Sequence, residues 1–239
     1  MAFRSSQVSR IYVGILGASA YTRNLSADST LDTHDVTTLV DTAKVFIPGL
    51  SGATFSIDGP LDDSAASNGQ WDALTDQKQA TTPVPITYMP LGTDGATWLL
   101  DGIHTNLNAN SGVGSSVDWS LTADITGLSD VRGVVLENGT TITNTENGSS
   151  NDLTAASSNG GVAHLHLTAF ATVTSDAITI EDSSTGSSGW ATIATFTTAT
   201  GVTSERVEIT GTVKRYLRVV DTVVGGPGSV TRHVSFSRR

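Results

Sequence analysis

The sequence predicts an all-β protein built as two β-sandwich or barrel-like domains, the first with one short flanking helix. Composition is the first reason. The 239 residues are 38% hydrophobic and only 15% charged, with Ser, Thr, Gly and Ala filling the difference, a balance that suits strands and turns. Periodicity is the second: Val117, Trp119, Leu121, Ala123 and Ile125 alternate with Asp118, Ser120, Thr122 and Asp124, the pattern of a sheet with one buried and one wet face. The third is punctuation, because the apolar blocks are short and separated by Gly, Ser, Asp and Asn.

In chain order, Arg10–Leu16 is the first strand candidate. Ala53, Phe55 and Ile57 then alternate with Thr54, Ser56 and Asp58. Asn68–Gln79 reads as a helix capped by Ser67, with Gln70 completing a capping box, Trp71, Leu74 and Lys78 on one face, and Pro83 beyond its end. Further strands are expected at Val84–Met89, Ala96–Asp101, Ile103–Leu107 and Val117–Ile125. Arg132–Glu137 and Thr140–Thr143 flank Asn138-Gly139, the signal of a two-residue hairpin. From Thr143 to Gly161 large apolar residues are almost missing. The expected organisation is therefore a first β domain over 1–144, a linker over 145–161 and a second β-sandwich over 162–239. The second carries six strand candidates: Val162–Val173, Ala177–Glu181, Trp190–Thr197, Glu205–Ile209, Thr212–Val220 and Val230–Phe236.

Several function classes are set aside. The chain has no cysteine, which removes disulfide scaffolds, thiol catalysis and thiolate metal sites. No stretch has signal-peptide or membrane-spanning apolar length, so a soluble protein with no membrane partner is expected. The net charge of −10 is uneven: residues 1–140 hold 15 acidic and 6 basic side chains (−9), residues 141–239 hold 8 and 7 (−1). Such a surface repels phosphate and argues against specific nucleic-acid binding.

Candidate chemistry is sparse. His164 and His166 sit two apart on a strand, as a metal pair would, but without a third ligand at a telling spacing; the plainer reading is the polar outward face of a half-buried strand. Asp62-Asp63 lacks the alternation of a calcium loop. Gly112-Val113-Gly114-Ser115 precedes a strand where a nucleophile elbow would precede a helix. The Asn138 and Asn147 sequons read as turns. Lys214, Arg215 and Arg218 form a weak basic strip, better explained by salt bridges or by snorkelling over a sheet edge. A non-catalytic protein without metal or cofactor is the expectation.

The segment over 34–62 carries Asp35-Val36-Thr37-Thr38, then Asp41-x-Ala43-Lys44, then Pro48-Gly49-Leu50, then an alternating strand ending at Gly59. On these residues the chain, over roughly 8–137, resembles the major tail tube proteins of long-tailed, siphovirus-like bacteriophages. From Gly160-Gly161 through Arg215-Tyr216-Leu217-Arg218-Val219 to Phe236-Ser237-Arg238-Arg239, it looks like the C-terminal half of longer major tail proteins.

The resemblance implies a virion protein, assembled in the host cytoplasm, whose chief partner is itself. Six or three chains would close a ring through joined sheets, rings would stack beside other tail proteins, and DNA would pass through the lumen non-specifically. It implies a loop over about 33–49 that reaches the next ring, with Asp35, Val36, Leu39, Asp41, Lys44, Val45 and Phe46 as contacts. It also implies a lumen lined by Asp58, Asp118 and Asp124. The alternative is a carbohydrate-binding surface module, since 178–196 also looks like discoidin-like sandwiches; Trp190 would be its aromatic platform.

Overall fold

The protein is described here by a computed structural model covering residues 9–40, 42–62, 69–92, 96–126 and 130–239. The strands in the first half are β1 (Arg10–Val13), β2 (Leu16–Gly17), β3 (Asn24–Asp35), β4 (Phe46–Pro60), β5 (Val84–Met89), β6 (Thr97–Ser111), β7 (Val117–Ile125) and β8 (Asp130–Ile142). One helix, α1 (Gln70–Lys78), lies between β4 and β5. The remainder is β9 (Glu146–Asn147), β10 (Asn151–Asp152), β11 (Gly161–Ala171), β12 (Ser175–Ser183), β13 (Ala191–Thr195), β14 (Thr203–Ile209), β15 (Tyr216–Val224) and β16 (Ser229–Arg238). The expected all-β class is what the chain forms, and each of the six strands expected after residue 161 has its counterpart.

Most of these strands join one branched sheet, in the order β14-β11-β16-β8-β6-β5-β1-β2, with β7, β4 and β3 branching from β6. A second sheet, β10-β15-β12-β13 with β9 also on β15, packs over β11, β14, β16 and β8. Two apolar clusters result. One holds Phe55, Leu74, Ile86, Trp119 and Leu121 under the branch. The other holds Leu165, Ile180, Leu217, Val234 and Phe236 between the sheets.

Several local expectations differ from what the chain does. β6 runs unbroken from Thr97 to Ser111 because it changes partners instead of turning: Tyr88↔Trp98 through Val84↔Gly102 tie it to β5, and Gly102↔Ile125 begins its pairing with β7. Asn138-Gly139 makes no hairpin. Its glycine does take the left-handed φ of +62°, but as the extra residue of a bulge inside β8, between His233↔Asn138 and Arg232↔Thr140. The stretch expected as a linker holds β9 and β10, both paired with β15. In α1 the buried residues are Gln70, Ala73 and Leu74, with Gly69 at the N-cap; the expected cap Ser67 lies outside the described residues.

The largest departure is the position of the histidines. His164 and His166 face inward and are fully buried. The register His166↔His233 brings a third imidazole beside them. The hydrogen bonds fix their protonation. Gly14 O can only accept, so His166 Nδ1 donates to it (2.7 Å). His166 Nε2 therefore accepts from Thr87 Oγ1 (2.7 Å), and Thr87 in turn accepts from His164 Nδ1 (3.2 Å). Tyr12 stacks on His233 with ring centroids 4.4 Å apart. The Tyr12 hydroxyl and His233 Nδ1 both donate to Asn138 Oδ1, at 3.0 and 3.1 Å. This polar seam ties β1 and β5 of the first half to β11 and β16 of the second.

A buried ionic knot lies on the other side of β16. Arg232 pairs with Glu137 on β8 and lies 2.6 Å from Asp221 on β15, too poorly aligned for a hydrogen bond. Both oxygens of the nearby buried Asp176 lack a hydrogen-bond partner. Burial raises the pKa values of Asp176 and Glu137, and that of Asp221 to about 7 from 3.8.

These groups give stability two opposed pH dependences. Burial lowers His166 from 6.5 to about 4, and lowers His164 and His233 well below 6.5. Their contribution is complete above pH 6.5 and is lost as the pH falls through the depressed values. Protonated Asp221 contributes in the opposite sense, fully below pH 3.8 and less as the pH rises through about 7. Asp176 and Glu137 act in the same sense as Asp221, but among these raised carboxyls only Asp221 has a large shift. All three imidazoles do, so the melting temperature should fall between pH 6.5 and pH 4. His166 alone accounts for about 3 kcal/mol at full protonation, and His166→Asn should flatten that part of the slope in calorimetric scans. A melting temperature that holds or rises over this interval would contradict neutral histidines in the seam.

Candidate assembly surface

The branch β3-β4-β7-β6 has two unlike faces. Its inward side buries Phe55, Ile57, Trp119, Leu121 and Ala123, with Trp119 Nε1 donating to Pro60 O at 3.1 Å. The opposite side is polar across the strands: Asn24, Asp58 and Ser120 are in register, as are Ser26, Ser56 and Thr122, and Asp28, Thr54 and Asp124. The expected acidic residues Asp58, Asp118 and Asp124 thus share one face. Asp58 accepts from Asn24 Nδ2 at 2.9 Å. Asp118 is bound by both Arg23 nitrogens, which with Ser116 hold its carboxyl below the usual range. Four aspartates (28, 58, 118 and 124) against Arg23 leave this face at −3. The sequence reading missed Asp28 and Arg23, because it assigned no strand to 24–35.

Beyond Ala53, β4 has no partner but β3, so Thr30–Gly52 forms a two-stranded arm that leaves the sheet. The expected loop enters and leaves as strand, over 33–35 and 46–49, and turns between them. Asp35 opposes Phe46 and His34 opposes Ile47; Val36 N–H donates to Val45 O, extending the ladder. Asp35 accepts hydrogen bonds from the Thr37 backbone N–H and hydroxyl, which lower its pKa and fold the turn at the arm's end. Of the expected contact residues, Val36, Leu39, Val45 and Phe46 are exposed, Leu39 completely. Lys44 is exposed beside them. Asp41 lies outside the described residues. Leu31, Val40 and Ile47 add exposed apolar surface that the sequence reading did not select. An isolated hairpin presenting this much apolar surface is an interaction site or a hazard.

The other candidates are occupied within the chain. Lys214 pairs with Asp182, Arg215 with Asp152 and Arg218 with Glu181. The Arg218 guanidinium also sits 4.4 Å over the Trp190 ring, covering one side of the expected glycan platform. Asp62 N–H donates to Gln70 Oε1, tying that turn to the start of α1, while Asp63 lies outside the described residues. No helix among the described residues is long and apolar enough to cross a membrane.

No protein-family model and no curated protein matches the chain. Similar solved structures include the virion of a native gene transfer agent particle, 16% identical with a TM-score of 0.42, covering 53% of this chain and 97% of that one. They also include the SPP1 Dit protein, described as a hub adsorption apparatus of phages infecting Gram-positive bacteria, at 12% identity and a TM-score of 0.40 over 97% and 98%. The SPP1 tail tube is 10% identical, with a TM-score of 0.41 over 52% and 76%.

Because Leu39 and Val40 touch so little of their own chain, Leu39→Ser with Val40→Ser should change stability by less than about 0.5 kcal/mol. The same pair should sharply reduce self-association in sedimentation velocity. Unchanged association would remove the arm's tip from any interface.

Proposed function

We propose that this chain is a structural subunit of a bacteriophage tail, which joins copies of itself into rings and stacks the rings into the tube that DNA traverses. The observation that carries this reading is a pair of open strand edges. The outer side of β3 has no neighbour among the described residues, and β6 beyond Gly102 has none on the β5 side. Long unpaired edges invite added strands, and natural proteins shield or pair them. Placing β3 of one copy beside β6 of the next satisfies both edges, and repetition around an axis closes a barrel with no edge left.

In such a ring the apolar side of the branch faces the protein and the −3 face lines the lumen. Phosphate then meets a net negative face on which Arg23 is already held by Asp118, a surface unsuited to counterion release, so DNA slides without sticking. The second half, with its net −1, suits an outer position on a ring of six; three chains would suffice only if both halves lined the lumen. The resemblance at Asp35–Gly59 points the same way. The partners are other copies and neighbouring tail proteins, and the place is the virion.

Electron microscopy of concentrated purified protein tests the assembly: hollow tubes or stacked rings of one width are expected, and a strictly monomeric protein at every concentration would refute it. Changing Asp28, Asp58 and Asp124 to lysine should leave tubes intact while slowing genome ejection from assembled phage. Ejection at the unaltered rate would show that these aspartates do not face DNA.

A further inference from the structure

The apolar core between the two sheets of the second half opens at one margin into a cavity of about 300 Å³. Val134 on β8, Phe236 on β16 and Leu153 after β10 form its apolar wall, continuous with that core. Register explains how a charge joins them. Phe236 lies opposite Val134, and Arg238, two residues further along β16, projects to the same face. Asp152 and Thr154 complete the lining.

Arg238 differs from its neighbours in what it binds. Of the seven basic side chains after residue 140, the other six each form an ion pair, whereas Arg238 forms none among the described residues. Asp152, the acidic group in the cavity, is taken by Arg215 through hydrogen bonds of 2.7 and 2.6 Å. Arg238 instead donates to two backbone carbonyls, from Nη1 to Leu153 O (3.3 Å) and from Nη2 to Lys214 O (3.0 Å). Its buried Nε has no hydrogen-bond partner, and burial lowers its pKa. The cavity therefore holds a cation without a counter-charge, in a chain of net −10.

The Leu153 carbonyl carries more donors than it can serve. It accepts from Thr154 Oγ1 at 2.6 Å and from Ala155 N–H at 2.9 Å as well as from Arg238, three donors for two lone pairs. Thr154 is also held at φ +68°, a left-handed conformation that β-branched residues rarely adopt. Strain of this kind persists only where its surroundings impose it, and it gathers at binding sites. A guanidinium and a strained hydroxyl thus crowd one carbonyl at the edge of an apolar cavity.

We infer that this cavity is a binding site for a carboxylate carried on a short, branched apolar stem. The carboxylate accepts from Arg238 and from the Thr154 hydroxyl, which relieves the crowded carbonyl. The stem lies against Val134, Leu153 and Phe236. A volume of about 300 Å³ is at the small end of ligand sites and suits a leucine-sized acid. A free branched acid and the last residue of another polypeptide both carry this chemistry. The site is remote from the branch and its arm, so it stands independently of the tube reading.

Ligand-observed NMR titrations of the full-length protein test the site, with 4-methylpentanoate, N-acetyl-leucine and N-acetyl-leucinamide as probes. Both acids should bind, and the amide, which lacks the charge, should bind at least roughly tenfold more weakly. Arg238→Gln should abolish the preference for acid over amide. Thr154→Gly should weaken acid binding roughly threefold or more. It should also leave the fold intact, since glycine accepts φ +68° without strain, and so serves if Arg238→Gln folds poorly. Acetyl-Gly-Gly-Leu separates the two sources: binding as tight as that of N-acetyl-leucine supports a polypeptide terminus, and exclusion supports a free acid. Equal affinity for acid and amide would overturn the inference by removing the guanidinium's role. Acetate binding as tightly as 4-methylpentanoate would overturn it by removing the apolar wall's role, and so would the failure of both acids to bind.

Discussion

Everything else in this molecule depends on the way strand β6 satisfies its backbone. At Gly102 it exchanges one neighbour for another, facing Val84 of β5 on one side and Ile125 of β7 on the other. A Cβ there would stand 3.0 Å from Ile86 Cδ1 and 3.1 Å from Ala123 Cβ, so the absence of a side chain is what lets three strands converge. Gly133 plays the matching role on β8. Thr97 lies opposite it, and a Cβ would come 2.3 Å from Leu99 Cδ1 and 3.0 Å from Phe236 O. Through these two close approaches the ladder continues from the branch, across β8, into β16 and β11. Residues far apart in sequence thereby share one hydrogen-bonded surface.

The continuity explains why the boundary between the halves is polar without being wet. β8 contributes Leu136 to the cluster of the second half while its backbone pairs with β6 of the first. The histidine seam closes over the same region. Three buried imidazoles are costly unless hydrogen-bonded, and Thr87 serves by donating to one and accepting from another. His164 Nε2 is left without a hydrogen-bond partner, and His164 alone of the three carries that cost. The ionic knot around Arg232 follows a similar logic: its two carboxylate neighbours lie on β8 and β15, so it binds the two sheets of the second half together. Such a knot adds little net stability compared with apolar packing, but it penalises any register that separates the partners.

Much of the architecture was legible from local pattern. The alternation over Val117–Ile125 gave the faces correctly, and Asp58, Asp118 and Asp124 do share the wet one. What the sequence concealed was pairing over distance. β3 is written as NLSADSTLDTHD, with mostly exposed side chains, because an edge strand that continues into an arm has no core to imprint a hydrophobic period. Asn138-Gly139 carried the right torsion signal and the wrong topology, since a left-handed glycine serves a bulge as well as a turn. His164 and His166 looked outward-facing because no local feature announces that β1 and β5 cover them. The in-register partner His233 is 67 residues further along than His166. The arm was partly legible: Val36, Leu39 and Val45 do lie in its turn, but the paired strands that carry the turn away from the sheet left no local pattern.

The arm's construction also determines how it bears load. A pull on its tip acts along β3 and β4, parallel to the strands and perpendicular to the hydrogen bonds joining β4 to β7 from Ala53 to Pro60. Loaded in that direction, the rungs must slide together and break as a group. Peeling the strand sideways would instead open the same rungs in succession, each bearing the whole force in its turn. The hairpin is therefore a tether anchored in shear, strong along its length and weak across it.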